Sequence, residues 1–179
     1  IISGCPETIA TDIISDSGSI KIWAKDDDGA VGESGNVLPD DLTVKSGVTL
    51  RTVAQGTFIL LSAGDDLIIE EGASLIAAGD IILRADANTI DASGELNPEI
   101  DAVNTDHDPD RGANVELHGT YIVGADNRVY VQTYDNNDII NLYASLRSRV
   151  TTGAGNDQIR FFGSSALTDG GVIDGGSGF

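Results

Sequence analysis

The stretch "TTGAGNDQIRF", Thr151–Phe161, sets glycines two apart, follows them with Asn156 and Asp157, and ends on a large aliphatic residue, Ile159. Gly153 and Gly155 permit backbone geometry tight enough for carbonyl oxygens to turn inward, and Asp157 adds a carboxylate. A turn that offers carbonyls and a carboxylate suits Ca²⁺, which takes about six to eight oxygens at about 2.3–2.6 Å. The competing reading is a metal-free polar turn between two strands. Two neighbouring stretches repeat the pattern in part. "TYDNNDIIN", Thr133–Asn141, keeps Asp138 and the following aliphatic in register and places Asn136 where a glycine would stand. "DGGSGF", Asp174–Phe179, opens in the same way with Gly176 and Gly178. A cation in such an arrangement lies between turns of adjacent coils, so a pair of turns is needed.

A second candidate is "TDHDPDRG", in which Asp106, Asp108 and Asp110 alternate as in calcium loops. Arg111 interrupts the pattern before Gly112, and position twelve is Leu117 where an EF-hand carries an acid, so this is no EF-hand. The alternatives are an improvised calcium site that also uses Asp101 and a solvated acidic loop. Asp26, Asp27 and Asp28 in "KDDDGAVGESGN" are explained by an acidic loop without invoking function, with a cation site as the alternative. His107 and His118 are the two histidines, and with no cysteine near them they argue against zinc. No nucleophile elbow, phosphate-binding loop or Ser-His-Asp ordering is present, and Arg147 and Arg149 have no Tyr, His or Lys set beside them. The chain is therefore expected not to be an enzyme.

Composition bounds these sites. The chain has 179 residues, 29 acids against 10 Lys and Arg, and a formal net charge of −19. Aspartates outnumber glutamates 22 to 7, and the short Asp side chain favours turns and reaches a cation held by its own loop. A surface of this sign repels nucleic acid and anionic membranes. A soluble acidic surface or a halophilic balance would also account for the charge. No apolar run approaches the roughly 20 residues of a membrane span. Cys5 is the sole cysteine, which excludes a disulfide within the chain. The absence of Met and the ending in mid-motif at Phe179 read as a piece of a longer or processed polypeptide.

Short β-branched runs that alternate, such as "VTLRTV", "TFILL", "DIILRA" and "RVYVQTY", are separated by turn residues, and helical spacing is scarce. They repeat. Leu42–Gly64 aligns with Leu67–Ala87: LTV meets LII, KSG meets EEG, VTL meets ASL, and TFILLSAG meets DIILRADA, with the second copy two residues shorter in its middle segment. A weaker third copy starts near Asn114. A period of about 22–25 residues is that of one coil of a parallel β-helix, in which stacked coils bury what one coil cannot. A β-sandwich is the alternative for a glycine-rich all-β chain. The expected organisation is an irregular first coil or the end of a preceding module over 1–39, then a β-solenoid over 40–179. A projecting acidic loop is expected at 91–114 and calcium-type turns at 133–179.

The tail from about Thr133 to Phe179 resembles the repeat-in-toxin calcium-binding family, whose nine-residue pattern is G-G-x-G-x-D-x-U-x, with U a large aliphatic. Thr152–Arg160 fits it except at its first position, where Thr152 replaces Gly; Asp138 and Asp157 are 19 residues apart, not a multiple of nine. The resemblance implies that Gly153, Gly155 and Asp157 supply carbonyls and a carboxylate to calcium, with Asn156, Asp138, Asn136, Gly176 and Gly178 in matching places. Asp41–Ala87 resembles the repetitive β-helical stalks of large bacterial surface adhesins and haemagglutinins. The expected fold is thus an all-β, right-handed parallel β-helix with β-roll-like calcium turns toward the C-terminus. The expected role is a calcium-stabilised structural or adhesive segment of a large extracellular or cell-surface protein, with calcium as cofactor and no nucleic-acid or membrane partner. A polymer or filament of the chain itself is a further possibility. So is a carbohydrate-binding or carbohydrate-processing β-helix with a groove lined by Trp23, Tyr121, Tyr130, Tyr134 or Tyr143.

Overall fold

The computed structural model describes residues 2–3, 6–24, 40–87, 112–134, 136–168 and 170–176. Its strands follow from the alternation in the sequence. In β4 (Ile20–Ala24), Ile20, Ile22 and Ala24 are buried and Lys21 and Trp23 are half-buried, the period of two that puts one face of a strand against a core. β4 follows β2 (Glu7–Ile9) and β3 (Ile13–Ser15), after a short β1 (Ile2–Ser3). The same three-strand unit recurs as β5 (Leu42–Val44), β6 (Thr49–Thr52) and β7 (Ile59–Ala63), and as β8 (Leu67–Ile69), β9 (Ser74–Ile76) and β10 (Ile81–Arg84). A further unit is β11 (Asn114–Leu117), β12 (Thr120–Ile122) and β13 (Val129–Gln132). Two shorter coils follow: β14 (Ile139–Leu142) with β15 (Ser148–Thr151), and β16 (Gln158–Phe161) with β17 (Val172–Asp174).

Each strand pairs with its counterpart one coil away, and the three resulting sheets run β1-β4-β7-β10-β13-β15-β17, β2-β5-β8-β11-β14-β16 and β3-β6-β9-β12. Every strand pair is parallel, which excludes the antiparallel sandwich. The chain is an all-β stack of coils of the β-helix type. Along the six-stranded sheet successive coils are offset by 35 residues (Glu7 to Leu42), 25 (Leu42 to Leu67), 48 (Leu67 to Val115, where residues 88–111 are added), 25 (Asn114 to Ile139) and 19 (Ile139 to Gln158). The 19-residue coils dispense with the third sheet and keep only an isolated bridge between Leu146 and Leu167. Among the described residues no helix is long and apolar enough to cross a membrane.

Residues 6–24 stack in register on the coil that follows them, with Ile9 opposite Val44, Ile13 opposite Leu50 and Ile22 opposite Leu61. The repeat read from the sequence places most of the next coil correctly: Leu42 opposes Leu67 and Leu50 opposes Leu75. The glycines of "KSG" and "EEG", Gly47 and Gly72, both have positive φ (79° and 87°). Its last segment is corrected by one residue. Ile59 opposes Ile81, not Ile82, so "FILLS" aligns with "DIILR". Consecutive aliphatics allow either register in the sequence; burial decides it, since Leu61 and Leu83 must both face inward. The projected loop at 91–114 falls mostly outside the described residues, and its last residue, Asn114, is the first of β11.

The core is a set of aliphatic columns, such as Leu42–Leu67–Val115–Ile140, all at 1% exposure or less. Leu61 lies between Ile22 and Leu83 with no exposed surface. Leu61→Ala is expected to cost about 2–5 kcal/mol, because the flanking coils are held by their own hydrogen bonds and cannot collapse into the void. A urea melt followed by far-UV circular dichroism should show the midpoint fall accordingly.

Candidate functional site

The corners between sheets lie outside the strand ladders, so their backbone N–H groups need other acceptors. Carboxylates supply them. Asp65 Oδ2 accepts from the Asp40 N–H (2.9 Å), Asp41 Oδ1 from Asp66 N–H (3.2 Å) and Asp66 Oδ1 from Asn114 N–H (2.8 Å). At other corners Asp12 accepts from Thr49 N–H (2.7 Å) and Asp80 from Arg128 N–H (2.8 Å). Each bond joins one coil to the next. The abundance of Asp over Glu has this local cause: a short carboxylate reaches the adjacent coil without leaving the corner.

Asp138 and Asp157 stand in the same column. Asp138 is fully buried, and its Oδ1 accepts from the Ala113 N–H at 2.9 Å; Asp157 Oδ1 in turn accepts from the Asp138 N–H at 3.1 Å. The 19-residue spacing that departs from a nine-residue period is thus one full coil, and it brings the two carboxylates into adjacent layers. Asp157 Oδ2 is buried and accepts no hydrogen bond from the described residues. Asn136 takes a left-handed conformation (φ 73°), and Asn137 Oδ1 accepts from the Asn156 N–H at 2.7 Å.

The turns containing these residues touch backbone to backbone. A methyl group at Gly153 would overlap the carbonyl oxygen of Tyr134, one at Gly155 that of Asn136, and one at Gly176 those of Gly153 and Thr152. Close approach is therefore a reason for glycine here, and at Gly155 a φ of 147° is another. Of the sequence-predicted residues, Asn136, Asp138, Gly153, Gly155, Asn156, Asp157 and Gly176 come together at this corner. Gly178, Asp106, Asp108 and Asp110 lie outside the described residues. An open cleft of about 440 Å³ adjoins the corner, lined by Thr152, Gly155, Asn156 and Asp157 together with Phe161 and Ile173.

Among the described residues no group of three or more His, Cys, Asp or Glu side chains converges. A cation at this corner would therefore draw on two carboxylates and make up its coordination from neutral oxygens, a mixture that Ca²⁺ accepts. The orphaned, buried Asp157 Oδ2 fits such a cation. Thr133 and Thr152, whose side chains face the interior here, were missed as site residues; the visible signal was Thr152 at the motif's first position.

A second cluster lies outside the six-stranded sheet. His118, Tyr143 and Phe162 stack on three successive coils, with ring centroids 3.7 and 4.4 Å apart and planes within 13° and 8°. Glu116 accepts from Asn141 Nδ2 at 2.7 Å, and His118 Nε2 is 3.4 Å from it. Partial burial first, then the charge and hydrogen bond of Glu116, raise the Tyr143 phenol above its ordinary value, with Arg160 opposing. Tyr143 is thus stacked on both faces, between His118 and Phe162. The remaining aromatics of the candidate saccharide groove are distributed differently: Trp23 and Tyr130 on the outer register of the long sheet, Tyr121 packed against the core.

No protein-family model, curated protein or solved structure matches this chain.

Gly155→Ala is expected to destabilise the protein by about 1–3 kcal/mol, from the unfavourable φ together with the clash on Asn136. Gly175→Ala, where a methyl meets nothing, should stay within about 0.5 kcal/mol of the parent. Thermal melts of the two variants side by side check the difference.

Proposed function

We propose that this chain is a calcium-stabilised structural or adhesive segment of a large extracellular or cell-surface protein, a right-handed β-solenoid that serves as a stiff stalk. Right-handed winding is the sense that parallel β-strand connections adopt in about 98% of cases. The observation that carries the calcium reading is the register of Asp157 on Asp138 in adjacent coils, with a buried carboxylate oxygen of Asp157 left without a donor. Asn136, Gly153, Gly155, Asn156 and Gly176 frame that pair, and calcium there would offset the repulsion between the stacked carboxylates.

The role is mechanical and follows from coupling between binding and folding. With net charge −19, the isolated chain resists compaction when calcium is scarce, and a cation that binds only the stacked coils favours the folded form. The same reading places the protein where calcium is abundant, outside the cell. Among the described residues β16 and β17 are the outermost strands on one side, with Phe161 and Ile173 about half exposed, and open strand edges of this kind add further strands or copies.

The melting temperature of the full chain should rise in millimolar Ca²⁺ relative to EGTA, by an amount equivalent to about 2.7 kcal/mol when calcium is 100 times its Kd. Asp157→Asn should remove most of that rise, and Mg²⁺ should not reproduce it, because Mg²⁺ demands a rigid octahedron and keeps its waters. Identical melting temperatures in calcium and in EGTA would sink the reading.

A further inference from the structure

The inner wall of the candidate corner changes composition where the turn lengthens. The last inward position of the long sheet is Ala24, Ala63 and Ala85 in the earlier coils, and Thr133 and Thr152 in the later ones. In an earlier coil the turn that follows is short, passing from Ala63 through Gly64 to Asp65. In the later coils residues 134–137 and 153–156 separate the threonine from the aspartate of the column. A wider corner thus has hydroxyls on one wall and carboxylates on the other.

Those hydroxyls are buried at the corner. Thr133 is 3% exposed and Thr152 is 1% exposed, and neither Oγ1 has a hydrogen-bond partner among the described residues. Ser148 Oγ and Tyr121 OH are likewise buried without a partner among the described residues, whereas Thr52 and Thr57 are satisfied. Thr52 Oγ1 donates to the Thr57 carbonyl at 3.3 Å and accepts from the Ala78 N–H at 3.2 Å, and Thr57 Oγ1 donates to the Ala54 carbonyl at 2.5 Å. A buried hydroxyl without a partner destabilises a fold, and valine has the same shape without that cost. The inward positions just before the two threonines, Val131 and Val150, are valines, with Ser148 inward before Val150. Thr152 also lines the same cleft as Asp157, whose Oδ2 is likewise buried without a donor. Buried oxygen atoms without donors are what a cation requires, and hydroxyl lone pairs serve as neutral ligands.

We infer that Thr133 Oγ1 and Thr152 Oγ1 are inner ligands of the bound cation, coordinating Ca²⁺ from the core side of the corner while Asp138 and Asp157 neutralise it. This rests on the calcium reading above and adds to it two side chains on the strand wall. Thr152, the one departure from the nine-residue motif, then compensates for what the second, glycine-poor turn at 134–137 supplies less well. The two hydroxyls are one coil apart, so they tie the cation to both layers at once.

The test is calorimetric titration of the full chain with Ca²⁺, together with thermal melts in EGTA. Thr152→Val and Thr133→Val should each weaken the Ca²⁺ Kd about tenfold or more. In EGTA the same variants should melt at or above the temperature of the unmodified chain, since an unpaired hydroxyl has been replaced by a methyl. Thr152→Ser, which keeps the oxygen, should retain the affinity. Thr52→Val, which removes a satisfied hydroxyl, should lower the melting temperature in both conditions and leave Kd unchanged. If the unmodified chain binds Ca²⁺ and both valine variants bind it within about twofold as well, the hydroxyls hold water or nothing and the inference is overturned. It is equally overturned if Thr152→Ser loses affinity as fully as Thr152→Val, because packing would then be the cause. Should Thr152→Val fail to fold, Thr133→Val decides alone. An unmodified chain that binds no Ca²⁺ overturns the calcium reading itself, and this inference with it.

Discussion

Everything in this fold depends on hydrogen bonds that run from coil to coil. Within a coil the three short strands scarcely bond to one another; each finds its partners in the layers on either side. Strand ladders satisfy the N–H and C=O groups on the flat faces, but at each corner the chain changes direction and the ladder breaks. There a side chain must act as acceptor, and aspartate is the residue whose reach matches the distance between layers. The arrangement joins two properties that look unrelated in the composition, a small aliphatic core and an excess of acid. One is the inner wall of the coil, the other its corners.

That solution creates its own strain. Stacking corners in register also stacks carboxylates, and like charges a layer apart repel. In the first coils Asp41, Asp65 and Asp66 each take an N–H from the neighbouring layer, as Asp138 and Asp157 do in the later ones. Near the C-terminus the coil shortens from 25 to 19 residues, the third sheet gives way to a single bridge, and the turn before the six-stranded sheet lengthens. Thr133 Oγ1, Thr152 Oγ1 and Asp157 Oδ2 are buried there without a donor among the described residues. A corner that accumulates oxygen faster than hydrogen is the physical basis for the calcium reading, and it is independent of any sequence motif. The aromatic stack of His118, Tyr143 and Phe162 ties three successive coils together along the outside of the six-stranded sheet.

Much of the fold was legible because a solenoid repeats its reasons. Leu42 and Leu67, Leu50 and Leu75, and Gly47 and Gly72 occupy equivalent places and carry equivalent residues, so one coil explains the next. Legibility failed where adjacent residues were interchangeable. In "FILL" and "DIIL" either of two registers preserves an aliphatic face, and the choice belonged to the depth of the core. The candidate corner was legible through Gly155 and Asp157. Its second layer was obscure, because Asn136 and Asp138 are not in a multiple-of-nine spacing and their relation emerges only when the length of the coil is known.

The sequence by itself determined the class of structure and the chemistry available to it: short strands of alternating burial, glycine and aspartate at the turns, and carboxylates too numerous for a neutral surface. Those are local properties, set by side-chain shape and backbone permissiveness. Tertiary structure alone decided which turns lie over one another, that a 19-residue coil puts Asp157 on Asp138, and that Thr133 and Thr152 face inward beside them. The reason is that stacking register depends on the summed length of strands and corners around a whole coil, a quantity that no single motif contains.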